Sequence, residues 1–307
     1  MLDPRGLYEL EGEQPPEGEI GTPVLVHALS GFIDAGSAGR LAAAHVLETL
    51  EHHVIARFDV DQIYDYRARR PAMTFIEDHW ADYADPELVL RLVRDVAGVP
   101  FLLLTGPEPD VQWERFVAAV VQLIEHHRVR LTVGIHAIPM GVPHTRPAGT
   151  TAHATQGGII AGFEPWLGTV QVPGHVAGLL ELRLGQTGRD AAGFAVHVPH
   201  YLAQAEYPDA AVALLDAVGA LCGLDLPTQA LREAGETTRA AIEAQLGESP
   251  DVQSVVRALE EQYDAFVRGR HRSLLAQDSP LPSADELGAE LERFLAEEND
   301  RRGRGDG

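Results

Sequence analysis

The chain contains no lysine, because all 24 of its lysine-plus-arginine positions are arginine. This absence excludes sites that depend on a lysine side chain, such as a Schiff base, a P-loop or the strand lysine of a protein kinase. Cysteine is nearly absent as well, since Cys222 is the single one in 307 residues. An intrachain disulfide and a zinc site built from several cysteines are therefore also excluded.

Long apolar runs and excess positive charge are missing too. No apolar stretch approaches the roughly 20 residues that span a bilayer. Residues 1–21 are acidic and contain prolines, without the apolar centre of a signal peptide. The formal net charge of −22 disfavours nucleic acids and anionic membranes as partners, because both would be repelled. We therefore expect a cytoplasmic globular protein with neither a nucleic-acid nor a membrane partner.

The stretch from 23 to 51 has the pattern of a buried strand, a glycine loop and a helix. Residues 24–29 are an apolar run of strand length, which is typical of a strand covered on both faces. The loop that follows carries Ser30, Gly31, Asp34, Gly36 and Ser37. Asp34 precedes a helical pattern that begins at Ala38, so its carboxylate is expected to cap the first free backbone N–H groups. Ligands of α/β proteins commonly bind at such a position, although a tight capped turn explains the same residues.

Strands and helices are predicted to alternate along most of the chain. The predicted strands lie at 53–60, 73–78, 101–105, 131–138, 157–163 and 194–198. The predicted helices lie at 86–96, 111–127, 174–184 and 207–222, followed by three more that begin at 228, 250 and 283. This alternation predicts parallel βαβ units in an α/β fold, namely a three-layer α/β/α sandwich with a helical C-terminal appendage.

Changes in composition divide the predicted chain into four parts. Residues 1–20 are expected to be a flexible lead-in, and 21–225 the α/β/α core. Residues 226–298 are expected to form a helical subdomain, and 299–307 a disordered tail.

Three motifs in order resemble the PAC2 family, named for proteasome assembly chaperone 2, and most closely its actinobacterial branch. They are GFIDAG at 31–36, FDVD at 58–61 leading to DYRARRP at 65–71, and GIHAIPMGVPHTRP at 134–147. The resemblance implies an α/β/α sandwich similar to that of purine nucleoside phosphorylases, and oligomeric assembly. It implies no established reaction. Family members that dock on proteasome rings end in a hydrophobic residue, tyrosine and any residue, whereas this sequence ends RGDG, so docking by that route is not expected.

Two of the predicted loops are expected to share one rim if their strands are parallel. The candidate ligand-binding residues of this rim are Ser30, Gly31, Asp34, Gly36, Ser37, Arg67, Arg69, His144, Thr145 and Arg146. The arginines could hold a carboxylate or phosphate through paired N–H groups. In so acidic a chain they could equally form ion pairs with neighbouring carboxylates.

No catalytic residue, metal ligand or cofactor is assigned. The nucleophile-elbow pattern G-x-S-x-G does not occur, so Ser30, Asp34 and His144 do not predict a hydrolase triad. The 14 histidines lack the spacing of a metal-binding helix or loop.

Two hypotheses about function remain open. The first is an assembly or interaction protein without a reaction, which predicts loops that lack a convergent acid–base set. The second is an enzyme or small-anion binder, which predicts a concave pocket that holds Asp34 and Arg146 together. In either case we expect a homo-oligomer, with a trimer favoured over a dimer, while the identity of any other protein partner is left open.

Overall fold

The computed structural model describes residues 2–12, 14–16, 18–163, 169–247 and 250–275. Within these residues the strands are β1 (Tyr8–Leu10), β2 (Val24–Ser30), β3 (His52–Phe58), β4 (Met73–Ile76), β5 (His79–Tyr83), β6 (Val89–Arg94), β7 (Pro100–Pro107), β8 (Leu131–Met140), β9 (Thr150–Ala154) and β10 (Ala191–Pro199). The α-helices are α1 (Ala38–Thr49), α2 (Trp113–His126), α3 (Val176–Gln186), α4 (Pro208–Cys222), α5 (Gln229–Gly247) and α6 (Pro250–Leu275).

Eight strands of the described chain form one mixed sheet in the order β1-β3-β6-β7-β2-β8-β10-β9, and β4 pairs with β5 alone. The four neighbours β7, β2, β8 and β10 run parallel, as the alternation of strands and helices predicts. The strands at both sides of this group are antiparallel to their neighbours, so the sheet is not parallel throughout.

Helices cover both faces of the sheet, which confirms the predicted α/β sandwich. One hydrophobic cluster joins α1 and α4 to one face, and a second joins α2 and α3 to the other. Strand β2 contributes to both clusters, because Val26 points to the α1 side and Leu25 to the α2 side. Burial on both faces is the reason that this strand has no polar alternation.

The helix predicted at 86–96 is wrong, because this segment contains strand β6. The strand is hydrogen-bonded to β3 on one side and to β7 on the other. Val89, Leu90, Leu92 and Val93 are all buried. A short, almost continuous apolar run shows neither the period of a helix nor that of a strand. Periodicity alone therefore does not tell whether such a run forms a helix or a buried strand.

The strand predicted at 157–163 is also wrong. Gly157–Ile160 is a short 3-10 helix, and the nearby strand is β9, which pairs antiparallel with β10. Strand β9 contains threonine, alanine and histidine without a hydrophobic run, so its sequence gave no strand signal.

The first described residues contribute to the core, and the last two helices pack outward from α4 in series. Pro4–Leu7 forms a 3-10 helix with Leu7 fully buried, and β1 follows it into the sheet, within the segment predicted as a lead-in. Helix α5 packs on α4, and α6 packs on α5. The domain boundaries stay a prediction, and both the helix predicted from 283 and the tail at 299–307 lie outside the described residues.

Cys222 is buried at the end of α4, as its apolar surroundings predict. Burial raises the pKa of its thiol to about 11, so it is protonated at neutral pH. Among the described helices, none is long and apolar enough to cross a membrane.

Candidate functional site

The carboxyl ends of the parallel strands meet at one edge of the sheet. After β2 the chain enters α1 on one face, and after β7 it enters α2 on the opposite face. Neighbouring parallel strands whose helices leave to opposite sides create a crevice between them. The two loops that sequence analysis places on one rim, 30–37 and 141–147, both begin at this edge.

A cavity of about 250 Å³ occupies this crevice. Its floor is largely apolar, and its walls come from the ends of β2 and β7, the middle of β8 and one side of α1. The polar groups that line it belong to Ser30, Asp34, Arg40, Thr105 and His136. Arg146 is not among the described residues that line the cavity, so the structure does not bring Asp34 and Arg146 to one pocket wall.

Asp34 caps helix α1, as its position before the helix predicts. Its two carboxylate oxygens accept hydrogen bonds from the backbone N–H groups of Gly39 and Arg40, at 2.7 and 2.9 Å. Burial raises the pKa of this carboxyl group, although both N–H donors oppose the shift. The N–H groups that would receive an external anion at the start of α1 are therefore already bound to Asp34.

Gly36 and Ser37 shape the backbone of the same loop. Gly36 has φ of 64°, and a Cβ on it would lie 2.8 Å from Cβ of Tyr207. Its N–H donates to the carbonyl oxygen of Ala203, and its own carbonyl oxygen accepts from the N–H of Tyr207. The glycine is therefore required for close packing of the loop against the start of α4.

Arg69 binds the loop after β2 from outside. Its guanidinium donates to the carbonyl oxygens of Ser30 and Glu108, pairs with Asp110, and lies 4.5 Å from the ring centre of Tyr64. These contacts use the planar, multiply donating shape of arginine. Arg69 therefore holds the loop, whereas Arg67, two residues earlier in the chain, is exposed.

The second loop is covered by α6. Arg146 donates to both carboxylate oxygens of Asp264, at 2.8 and 2.9 Å, and lies 3.3 Å from Glu260. Thr145 also donates to Glu260, and the N–H of His144 donates to the hydroxyl group of Tyr201. The hydrogen bond from Arg146 lowers the pKa of Asp264. Arg146 therefore has the structural ion pair that sequence analysis gives as the alternative to ligand binding.

A layer of histidines lies on the α3 side of the sheet, close to the cavity, and sequence analysis did not assign it. The ring of His136 is 5.7 Å from that of His175 and 6.2 Å from that of His153, measured between centroids. His153 hydrogen-bonds to Glu181 at 2.8 Å. Burial lowers the pKa of His27 to about 4 and that of His136 to about 3, so both are neutral at pH 7.

Two glycines on the strands make room for these rings. A Cβ on Gly134 of β8 would lie 2.7 Å from the His27 ring, and one on Gly193 of β10 would lie 2.2 Å from the His153 ring. Glycines at the centres of buried strands are the one sequence signal that could have pointed to this layer, since they mark a close approach. No three His, Cys, Asp or Glu side chains of the described chain are placed to hold a metal ion.

The chain is similar to known proteins in both sequence and structure. The model of the PAC2 family matches residues 28–246. A Mycobacterium tuberculosis protein of unknown function is 49% identical, with a TM-score of 0.84 over 88% of this chain and 92% of that one. A Corynebacterium glutamicum protein of unknown function is 38% identical, with a TM-score of 0.82 over 85% of this chain and 98% of that one.

A third solved structure bears a name that refers to assembly. It is the M. tuberculosis proteasome-assembly chaperone homologue, 25% identical, with a TM-score of 0.70 over 76% of this chain and 99% of that one. No curated protein sequence matches significantly.

Proposed function

Since the chain belongs to the PAC2 family, we propose that it is an assembly or interaction protein, which acts by binding protein chains, including copies of itself, and catalyses no reaction. The observation that carries this proposal is that three of the charged rim groups are engaged within the chain. Asp34 caps α1, Arg69 holds the loop after β2, and Arg146 pairs with α6. An acid–base set poised for substrate needs groups that are free to meet it.

A related protein also supports an assembly role. A chain 25% identical to this one is named a proteasome-assembly chaperone homologue. Assembly chaperones act through surfaces that bind other subunits and need no reactive side chain. We therefore extend to this chain the assembly role, but not a particular client.

The proposal includes self-association, with a trimer favoured over a dimer. Light scattering at micromolar protein concentration, at low and moderate salt, measures the mass directly. We expect a mass above that of the 33.2 kDa chain. We also expect association to strengthen as salt rises, because screening weakens the repulsion between subunits that each carry a net charge of −22. A monomeric mass at both salt concentrations would contradict self-association.

The cavity favours a second candidate, a protein that binds a small anion. It lies at the crevice where ligands of α/β sheets commonly bind, and Arg40 and His136 line it. Calorimetric titration with inorganic phosphate tests this candidate. Heat of binding that disappears in the Arg40→Ala variant would favour it, and the absence of heat would favour the assembly role.

A further inference from the structure

Strands β4 and β5 form a two-stranded hairpin, here called the arm, that is separate from the main sheet. Every residue of both strands is exposed. An isolated two-stranded hairpin is at best marginally stable in water, and natural hairpins of this kind gain stability by packing against something else. Among the residues that the structure describes, none covers the arm.

One face of the arm is apolar. Cross-strand pairing places Met73 opposite Tyr83, and Phe75 opposite Trp80. Met73 and Phe75 are two residues apart on one strand, so these pairs share a face. The exposed fractions are 50% for Met73, 42% for Tyr83, 54% for Phe75 and 64% for Trp80. The rings of Phe75 and Trp80 pack edge to face, with their centroids 5.0 Å apart. At about 150–250 Å² for a large side chain, the exposed apolar area of this face is on the order of 400 Å². Apolar patches of this size are often functional.

The arm has an acidic tip and arginines before its base, with one further carboxylate, Asp82, on β5. Glu77 and Asp78 form the tip, between the paired residues Ile76 and His79. Arg67 and Arg70 precede the first strand at the base, are exposed, and form no ion pair within the part of the chain that the structure describes. Strands of this length extend about 15 Å, more than the Debye length of about 8–10 Å at physiological salt. The tip and base of one arm therefore do not neutralise each other.

We propose that the occupant of the arm is a second copy of this chain, with the apolar face of one arm on that of its neighbour and the acidic tip of one near the arginines at the base of the other. The arm carries both charges that the contact needs, so no other partner has to supply them. This arrangement fits two antiparallel arms as well as three arms placed head to tail. The inference rests on the proposed self-association and names the arm as the surface through which the copies associate.

The apolar face is tested with Trp80→Asp and Phe75→Asp, measured by light scattering and sedimentation. Because both side chains are exposed, each variant should keep the melting temperature of the parent chain. Loss of a central interface aromatic commonly costs at least 2 kcal/mol of binding, so we expect the dissociation constant to rise about 30-fold or more. The matched control is Val96→Asp, an equally exposed apolar residue (61%) between β6 and β7, which should leave the mass unchanged.

Charge reversal tests the contact between tip and base. The pair Arg67→Glu and Arg70→Glu should weaken association, and so should Glu77→Arg with Asp78→Arg. Combining all four reversals should restore it, because each tip then meets a base of opposite charge again. At 1 M salt, where the Debye length is about 3 Å, the differences between these variants should shrink.

The outcomes separate this inference from the proposed function. A monomeric parent chain would overturn both. An oligomeric parent whose mass survives Trp80→Asp would overturn the arm contact and leave self-association in place. Dissociation by Trp80→Asp without rescue by the fourfold reversal would overturn the tip-to-base arrangement. An arm that serves another protein would leave the mass of every arm variant unchanged.

Discussion

The rim of the sheet and the arm contrast in how their side chains are used. The rim carries the residues that look reactive, yet Asp34, Arg69 and Arg146 each complete a contact within the fold. The arm carries aromatic and apolar residues of no special chemistry, and they are left exposed. The difference teaches that charged side chains near strand ends indicate a binding site only when they are not already hydrogen-bonded within the fold. By the same reasoning, the two regions should respond differently to substitution: rim variants should change global or local stability, and arm variants should change assembly.

The largest expected effect comes from Gly106, which lines the cavity at the end of β7. A Cβ there would lie 2.3 Å from the carbonyl oxygen of Glu87, at a φ of 146°. Both the clash with backbone and the strained φ oppose any side chain, so Gly106→Ala should lower the free energy of unfolding by about 3 kcal/mol or more. Urea denaturation measures this loss. Gly157→Ala, which would meet no atom within 4 Å, should stay close to the parent chain; equal stability of both variants would contradict the packing described at this edge.

The buried histidines predict a dependence of stability on pH. The pKa of His27 is lowered to about 4 in the folded chain, below the value of about 6.5 expected when unfolded. Between these values the unfolded state binds the extra proton, so stability falls as pH falls from about 6.5 towards 4. Each such histidine contributes a slope of about 1.4 kcal/mol per pH unit within that window.

Chemical denaturation at several pH values measures this slope. His27→Gln should flatten it, whatever the stability of the variant at pH 7. His79→Gln, on the exposed arm, is the matched control and should leave the slope as in the parent chain. An unchanged slope for His27→Gln would show that His27 does not contribute to acid unfolding.

A smaller loss is expected from the cap of α1. Asp34→Ala leaves the N–H groups of Gly39 and Arg40 without their acceptor. The free energy of unfolding should fall by about 1–3 kcal/mol, and Asp34→Asn should recover part of it because its amide oxygen still accepts one bond. In contrast, Trp80→Ala on the arm should change stability by less than about 0.5 kcal/mol. Thermal unfolding compares the three, and a more stable Asp34→Ala would show that Asp34 is retained for binding.

The smallest effect should come from Arg146→Ala, and it should be local. The variant removes the contacts to Asp264 and Glu260, which tie α6 to the loop after β8. We expect faster amide hydrogen exchange in α6 and little change in the melting temperature, because surface ion pairs add little to global stability. Loss of phosphate binding in this variant, without faster exchange in α6, would move Arg146 from the structural to the ligand-binding role.

Much of the fold could be predicted from local patterns. Burial, periodicity and capping act within a few residues, so they predict strand β2, helix α2 and the glycine that ends α4. Strand β6 could not be predicted, since it is a strand only through its partners β3 and β7. Strand β9 is likewise defined by its pairing with β10, far along the chain.

The candidate site was less predictable for the same reason. The sequence correctly indicated that Asp34 caps a helix, which is a contact over five or six residues. It left open whether Arg146 binds a ligand or a carboxylate, because its partner Asp264 is 118 residues away. The histidine layer brings together residues from β2, β8, β9 and the start of α3, and such a grouping depends on strand order.

The central position of β2 has a consequence for how the chain is made. Both of its neighbours in the sheet, β7 and β8, come from much later in the sequence, and residue 140 must be synthesised before both are complete. Until β7 is synthesised this apolar strand has neither partner, and until β8 is synthesised it lacks one of them. Its pairing requires the closure of loops of about 70 to 100 residues. Such distant pairing slows folding and prolongs the exposure of hydrophobic strand edges. A nascent chain that stops before β8 therefore cannot build the centre of its sheet, so both pairings of β2 can form only after nearly half of the sequence has been synthesised.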